Sequence, residues 1–131
     1  MIVVDASVIA SMLVYTDDRG RKARAVMGRD PEWAAPEHWK VEVFSALRGL
    51  AHGGKITDEQ ASRAVGRITR LGIDTVPVDD LLPRMWQLRA NVSAYDAAYV
   101  ALAERRGLTL VTADARLART TTAYCRVELV A

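Results

Sequence analysis

The chain has 131 residues and a formal charge of +2, from 18 Lys or Arg against 16 Asp or Glu. That length fits one domain, residues 1–131, and with half the residues hydrophobic it can build a packed core, which excludes a disordered chain. No apolar run reaches the roughly 20 residues of a membrane span, the first residues lack a basic signal-peptide region, and the lone Cys125 has no disulfide partner; the expectation is a cytoplasmic protein with no membrane contact.

Ile2-Val3-Val4 is a β-branched run that reads as a buried strand leading straight into Asp5. Val8 to Tyr15 carries the chain away as a helix, and Asp18 to Met27 reads as an exposed basic helix. A weaker extended piece surrounds Trp33-Ala34-Ala35, with Pro36 stopping it or opening a helix. Over Glu37 to Ala51, Trp39, Val43, Leu47 and Leu50 recur at spacings of three and four, one apolar helical stripe closed by Gly53-Gly54. Thr57-Asp58-Glu59-Gln60 has the form of a capping box and opens a helix to about Leu71. Ile73 to Val78 reads as a strand, and Asp79 as a cap for a helix with Pro83 in its first turn. Ser93 opens a helix through Ala97 to Ala103 that is apolar nearly all round, so it must be buried against a sheet. Leu108 to Thr112 and Val127 to Val130 are the last strands, with Cys125 as a small apolar filler beside the second. Strands alternating with helices predict an α/β fold, one domain with a central parallel sheet and helices on both faces.

In such sheets ligands bind outside the carboxyl ends of the strands. Two apolar strands deliver a carboxylate there: Asp5 directly after the first, and Asp114 two residues after Thr112. Each also reads as a helix N-cap. Glu42 stands one step from the core stripe, on a face continued by the small Ala46 and Gly49. Small neighbours admit close backbone approach, so this Glu is expected to face packed structure, paired with an Arg or holding a metal. Asp96 completes a Ser93-x-x-Asp capping box, yet heads the most apolar helix, so cap and ligand are compatible roles.

Two unit charges about 4 Å apart repel by roughly 4 kcal/mol at an effective dielectric near 20. Convergence of these four would therefore demand protonation, arginines or a divalent metal. Oxygen-only ligation suits Mg²⁺ or Mn²⁺. Zinc is disfavoured because His38 and His52 lack metal-site spacing and Cys partners; they read as ordinary surface or boundary residues. Ser7 and Thr112 flank the aspartates and either orient a carboxylate, hold a water or cap. A phosphate loop and a nucleophile elbow are both missing, which leaves metal-assisted hydrolysis.

Val3-Val4-Asp5-Ala6-Ser7, Glu42-Val43-Phe44-Ser45-Ala46-Leu47, the block from Tyr95-Asp96 to Glu104, and Val111-Thr112-Ala113-Asp114-Ala115-Arg116-Leu117 resemble the four signature blocks of the PIN domain. Their order and separations are similar to those of the VapC toxins of type II toxin–antitoxin systems. The resemblance spans essentially the whole chain. It implies a Mg²⁺- or Mn²⁺-dependent endoribonuclease, with Asp5 and Asp96 as the most secure ligands, Glu42 and Asp114 completing the acidic site, and Ser7 and Thr112 supporting it. It also implies an RNA substrate, a VapB-like antitoxin and a homodimer.

Arg63, Arg67 and Arg70 lie on one helix face as a stripe that either guides RNA phosphates or is simply solvated. Arg19, Arg21, Lys22 and Arg24 form a second such cluster. A PIN-like module that binds RNA or protein without turnover is the competing reading. A phosphate-handling receiver domain fits less well, because Ala6 replaces its second acid and no Lys follows Lys55.

Overall fold

The computed structural model describes residues 1–130. Strands β1 (Ile2–Val4), β2 (Trp33–Pro36), β3 (Ile73–Val76), β4 (Leu110–Thr112) and β5 (Val127–Leu129) form one sheet in the order β3-β2-β1-β4-β5. Every neighbouring pair is parallel. Helices α1 (Ala6–Val14) and α2 (Asp18–Arg29) join β1 to β2, and α3 (Trp39–His52) and α4 (Asp58–Ile68) join β2 to β3. Helices α5 (Leu82–Gln87) and α6 (Ala94–Arg106) return the chain to β4, and α7 (Ala115–Thr121) leads on to β5.

The strand order dictates the layers. From β1 the chain steps one way to β2 and β3; from β3 it recrosses the sheet and continues to β4 and β5 in the other direction. Right-handed parallel crossovers then place α1–α4 on one face and α5–α7 on the other. The packing agrees: α1 lies against α2, α3 and α4, whereas α6 lies against α5 and across β1, β2 and β4. Ala97 to Ala103 are accordingly all buried. The direction changes between β1 and β4, the place where such sheets form a ligand crevice at their carboxyl edge.

Local signals account for most element ends. The Thr57 capping box is complete, its hydroxyl accepting from Gln60 N–H at 3.0 Å and Gln60 Oε1 from Thr57 N–H at 2.8 Å. Gly107 closes α6 with φ +64°, a left-handed cap that Gly adopts without strain. Helix α4 ends at Ile68, short of the Leu71 expected. The segment after β3 also departs from expectation. Asp79 caps nothing; it starts a single 3₁₀ turn over Asp79–Leu81, followed by the six-residue α5. Pro36 is the last residue of β2 rather than a stop before it. Glu37 N–H donates to Val76 O, so the alternate Pro36 faces the β1 side, beyond the last β1–β2 pair Val3–Ala34, and its missing N–H breaks no bond. Cys125 is half-buried just before β5, and burial pushes its thiol up to about 11.

Candidate active site

All four acids sit where a strand hands over to a helix or where a helix begins. Asp5 and Asp114 follow β1 and β4, while Glu42 and Asp96 lie in the first turns of α3 and α6. In a parallel α/β sheet the helices leave from the carboxyl edge, so each of these positions is delivered to the same edge. The charges act on one another there: Glu42 and Asp96 both raise Asp5, and Glu42 and Asp114 both raise Asp96.

Asp5 is the most deeply placed, only 6% exposed. It stands at the N-cap of α1, yet its side chain caps nothing. Instead Oδ2 accepts from Ser7 Oγ at 2.5 Å and from Thr112 Oγ1 at 2.9 Å. Those hydroxyls are fixed in turn by backbone donors, Ala113 N–H to Ser7 Oγ and Asp114 N–H to Thr112 Oγ1, each at 3.0 Å. The β4–α7 turn thus clamps the carboxylate that β1 delivers. Burial holds the Asp5 carboxyl above its ordinary 3.8; the two hydroxyls counter this and the Glu42 and Asp96 charges add to it.

Asp114 has the identical local grammar and the opposite role. Its Oδ1 accepts from Arg116 N–H at 2.9 Å and Leu117 N–H at 3.2 Å, a true N-cap of α7. Asp96 forms only half of the expected box: Ser93 Oγ accepts its N–H at 3.2 Å, and Ser93 N–H donates no return bond to the Asp96 carboxylate. Burial raises Asp96 first, against the pull of Ser93 and the Arg116 charge. Arg116 bridges two of the acids, with Nη2 3.5 Å from Asp96 Oδ2 and 3.9 Å from Asp114 Oδ2.

Glu42 corrects the sequence reading. A Cβ on Gly49 would meet nothing, so no backbone packs closely at that residue. What half-buries Glu42 is α6 and the start of α3. Tyr99 Oη donates to Glu42 Oε1 at 2.7 Å, and His38 Nε2 approaches the same oxygen at 3.1 Å. His38 Nε2 is buried and makes no well-aligned hydrogen bond; the approach to Glu42 becomes an ion pair when the imidazole is protonated. Glu42 nonetheless holds His38 above its ordinary value, and burial forces the Tyr99 hydroxyl far up, keeping it a donor.

Asp5, Glu42 and Asp114 therefore share a pattern. Each is held through one oxygen, leaving Asp5 Oδ1 and Glu42 Oε2 without a partner among the described residues and Asp114 Oδ2 facing only Arg116 there. Because each is drawn to its own partner, no three His, Cys, Asp or Glu side chains among the described residues close into an ion-holding group. A cavity of about 480 Å³ lies elsewhere, lined by Leu82, Met85, Trp86, Arg89 and Val92 beside α5. Almost wholly apolar, it offers no convergent acid or base and is not the place of the chemistry.

A family model described as the PIN domain matches residues 2–122. The chain belongs to the PIN-domain family. It is 40% identical to Ribonuclease VapC9 of Mycobacterium tuberculosis over 130 residues, 99% of this chain and 98% of that one. Ribonuclease VapC12 of the same organism is 35% identical over 131 residues, the whole of both chains. The solved structure of M. tuberculosis VapC20, titled a sarcin–ricin loop cleaving toxin, matches with a TM-score of 0.69 at 20% identity, covering 91% of this chain and 94% of that one. At that identity the likeness is one of fold.

In this PIN domain the sequence reading missed three residues that complete the acidic edge: His38, Tyr99 and Arg116. His38 lies four residues before Glu42, a spacing that itself signals a helical neighbour. Tyr99 is 57 residues from Glu42, and nothing local marks it. His52, by contrast, is exposed as expected. No helix among the described residues is long and apolar enough to cross a membrane.

Proposed function

We propose that this protein is the toxin of a type II toxin–antitoxin pair, a Mg²⁺- or Mn²⁺-dependent endoribonuclease with Asp5, Glu42, Asp96 and Asp114 as its catalytic acids. The observation that carries the reading is the gathering of four carboxylates at the sheet's switch point, three of them fixed through one oxygen. The donor set is all oxygen, and the counter-charge within the chain is slight: Arg116, 64% exposed, and His38 at Glu42. Burial and mutual repulsion raise Asp5 and Asp96, the state a hard divalent cation relieves. The residues fit such an ion, with Asp5 and Asp96 as principal ligands, and Glu42 and Asp114 completing the set. When bound, it supplies Lewis acidity at a phosphodiester and acidifies water. The chain's own part is to hold the acids: Ser7 and Thr112 keep Asp5 in register, and Tyr99 fixes Glu42.

The reading carries with it an RNA substrate, a VapB-type antitoxin partner, a homodimer and a cytoplasmic location, as its relation to VapC ribonucleases supports. Purified protein should cleave RNA with Mg²⁺ or Mn²⁺, stop in EDTA, and lose activity in Asp5→Asn and in Asp96→Asn. Cleavage that survives EDTA and both substitutions would sink the carboxylate mechanism.

A further inference from the structure

The acidic edge poses an electrostatic problem that the acids cannot solve. A polyanionic strand must approach four carboxylates, so cations close to them have to draw it in. One cavity joins the acids to such a group. It measures about 390 Å³ and is lined by Ser7, Ser11, Tyr15, Arg19, Lys22 and Asp114. Ser7 is the hydroxyl bound to Asp5 and Asp114 is itself one of the acids, so the cavity is continuous with the site. Its volume is within the roughly 300–1,000 Å³ of small-molecule pockets, enough for a nucleotide.

The basic residues of this wall differ in what they have left to offer. Arg21 is paired with Asp18 at 2.6 Å. Arg24 donates to the carbonyls of Met12 and Tyr15 at 3.2 and 3.0 Å. Arg19 is gripped by Asp17, with Nε and Nη2 contacts of 2.7 to 3.3 Å. Lys22 is exposed and has no ion pair or hydrogen bond among the described residues.

Arg19 contributes something other than free charge. Its guanidinium carbon lies over the Tyr15 ring, 3.6 Å from the centroid, and Asp17 pairs with it there. Tight packing of α2 on the end of α1 keeps the pair in place: a Cβ on Gly20 would fall 1.8 Å from Tyr15 O. A fixed guanidinium plane on an aromatic ring is a surface on which an unpaired base stacks.

We propose that the cavity between α1, α2 and the β4–α7 turn seats the single-stranded RNA nucleotide next to the scissile phosphate, with Lys22 contacting a phosphate and the Arg19–Tyr15 stack supporting a base. The proposal rests on the ribonuclease reading and adds the direction of the strand's path. By contrast, Arg67 on the exposed face of α4 and Arg70 beyond its end do not line this cavity.

The test uses the non-cleaving Asp5→Asn protein and a fluorescent single-stranded RNA, with affinity measured across a range of KCl concentrations. Lys22→Ala should weaken binding and flatten the log–log salt slope by about 0.7, one phosphate contact, with Lys22→Arg restoring it. Arg19→Leu should weaken binding about 5- to 150-fold, the loss expected for one base stack. Arg67→Ala should leave the slope unchanged. In the cleaving protein Lys22→Ala should raise KM while kcat stays within about two-fold. If wild type cleaves RNA and both Lys22→Ala and Arg19→Leu bind with the parent's affinity and slope, the seat is refuted and the ribonuclease reading stands. If wild type cleaves no RNA with Mg²⁺ or Mn²⁺, the ribonuclease reading falls and the seat with it.

Discussion

Thr112→Val separates the clamp on Asp5 from everything else in the site. Thr112 is fully buried, donates to Asp5 Oδ2 at 2.9 Å and accepts Asp114 N–H at 3.0 Å. Valine keeps the shape and the β-branch but removes both bonds. A hydrogen bond to a charged group contributes about 1.5–3 kcal/mol, and the stranded amide adds about 1 kcal/mol more, so the loss is roughly 3 kcal/mol. Unfolding entropy of about 2.1 cal/mol/K per residue over 131 residues converts this to a fall in Tm of about 11 °C. Differential scanning calorimetry at neutral pH without metal measures it. Thr112→Ser retains the hydroxyl and should recover most of the loss. RNA cleavage should fall about 10- to 100-fold in the valine variant, because the carboxylate, left to Ser7 alone, is held less firmly toward the site. A valine variant melting within about 2 °C of wild type, or a serine variant equally impaired, would refute the clamp.

Two further outcomes follow from the same geometry. Asp5 and Asp96 are raised above 3.8 and His38 above 6.5, so these three groups bind more protons in the folded chain than in the unfolded one above each of those values. The contribution of these three groups to metal-free stability should therefore decline as pH rises, through the carboxyl range first and the imidazole range later, against the opposite pull of Asp17 and Asp30, which are held below their ordinary values. Asp96→Asn should gain on wild type between pH 3.5 and 7 by about a few degrees in Tm, and saturating Mg²⁺ should narrow the gap; a gap constant with pH contradicts the shared charge. Glycine substitutions in α2 should move in opposite directions. Gly20→Ala drives a Cβ into Tyr15 O and should cost about 1–3 kcal/mol or more, whereas Gly28→Ala enters open space and should stabilise by about 0.5–1 kcal/mol; urea midpoints measure both.

Much of the fold is legible in local pattern because its causes are local. The Thr57–Gln60 box, the apolar stripe of α3 and the all-round burial of α6 need only neighbours within about four residues. The element order and the parallel α/β class follow from those signals, and so does the placing of Asp5 and Asp114 at the ends of apolar strands. What those aspartates do is not legible. Both stand before a helix, yet Asp114 caps α7 while Asp5 leaves α1 uncapped and turns to Thr112, 107 residues away. Glu42 was read from its own helix face, and its true partner lies on another helix. Strand order decides these outcomes: β1 beside β4 brings Thr112 to Asp5, and the reversal of direction there brings α6 round to α3. The sequence by itself determined which residues become helix, strand and sheet-edge acid. Only the tertiary structure decided which oxygen of Asp5 and of Glu42 is hydrogen-bonded and which is left open, because that depends on groups brought together by topology rather than by spacing.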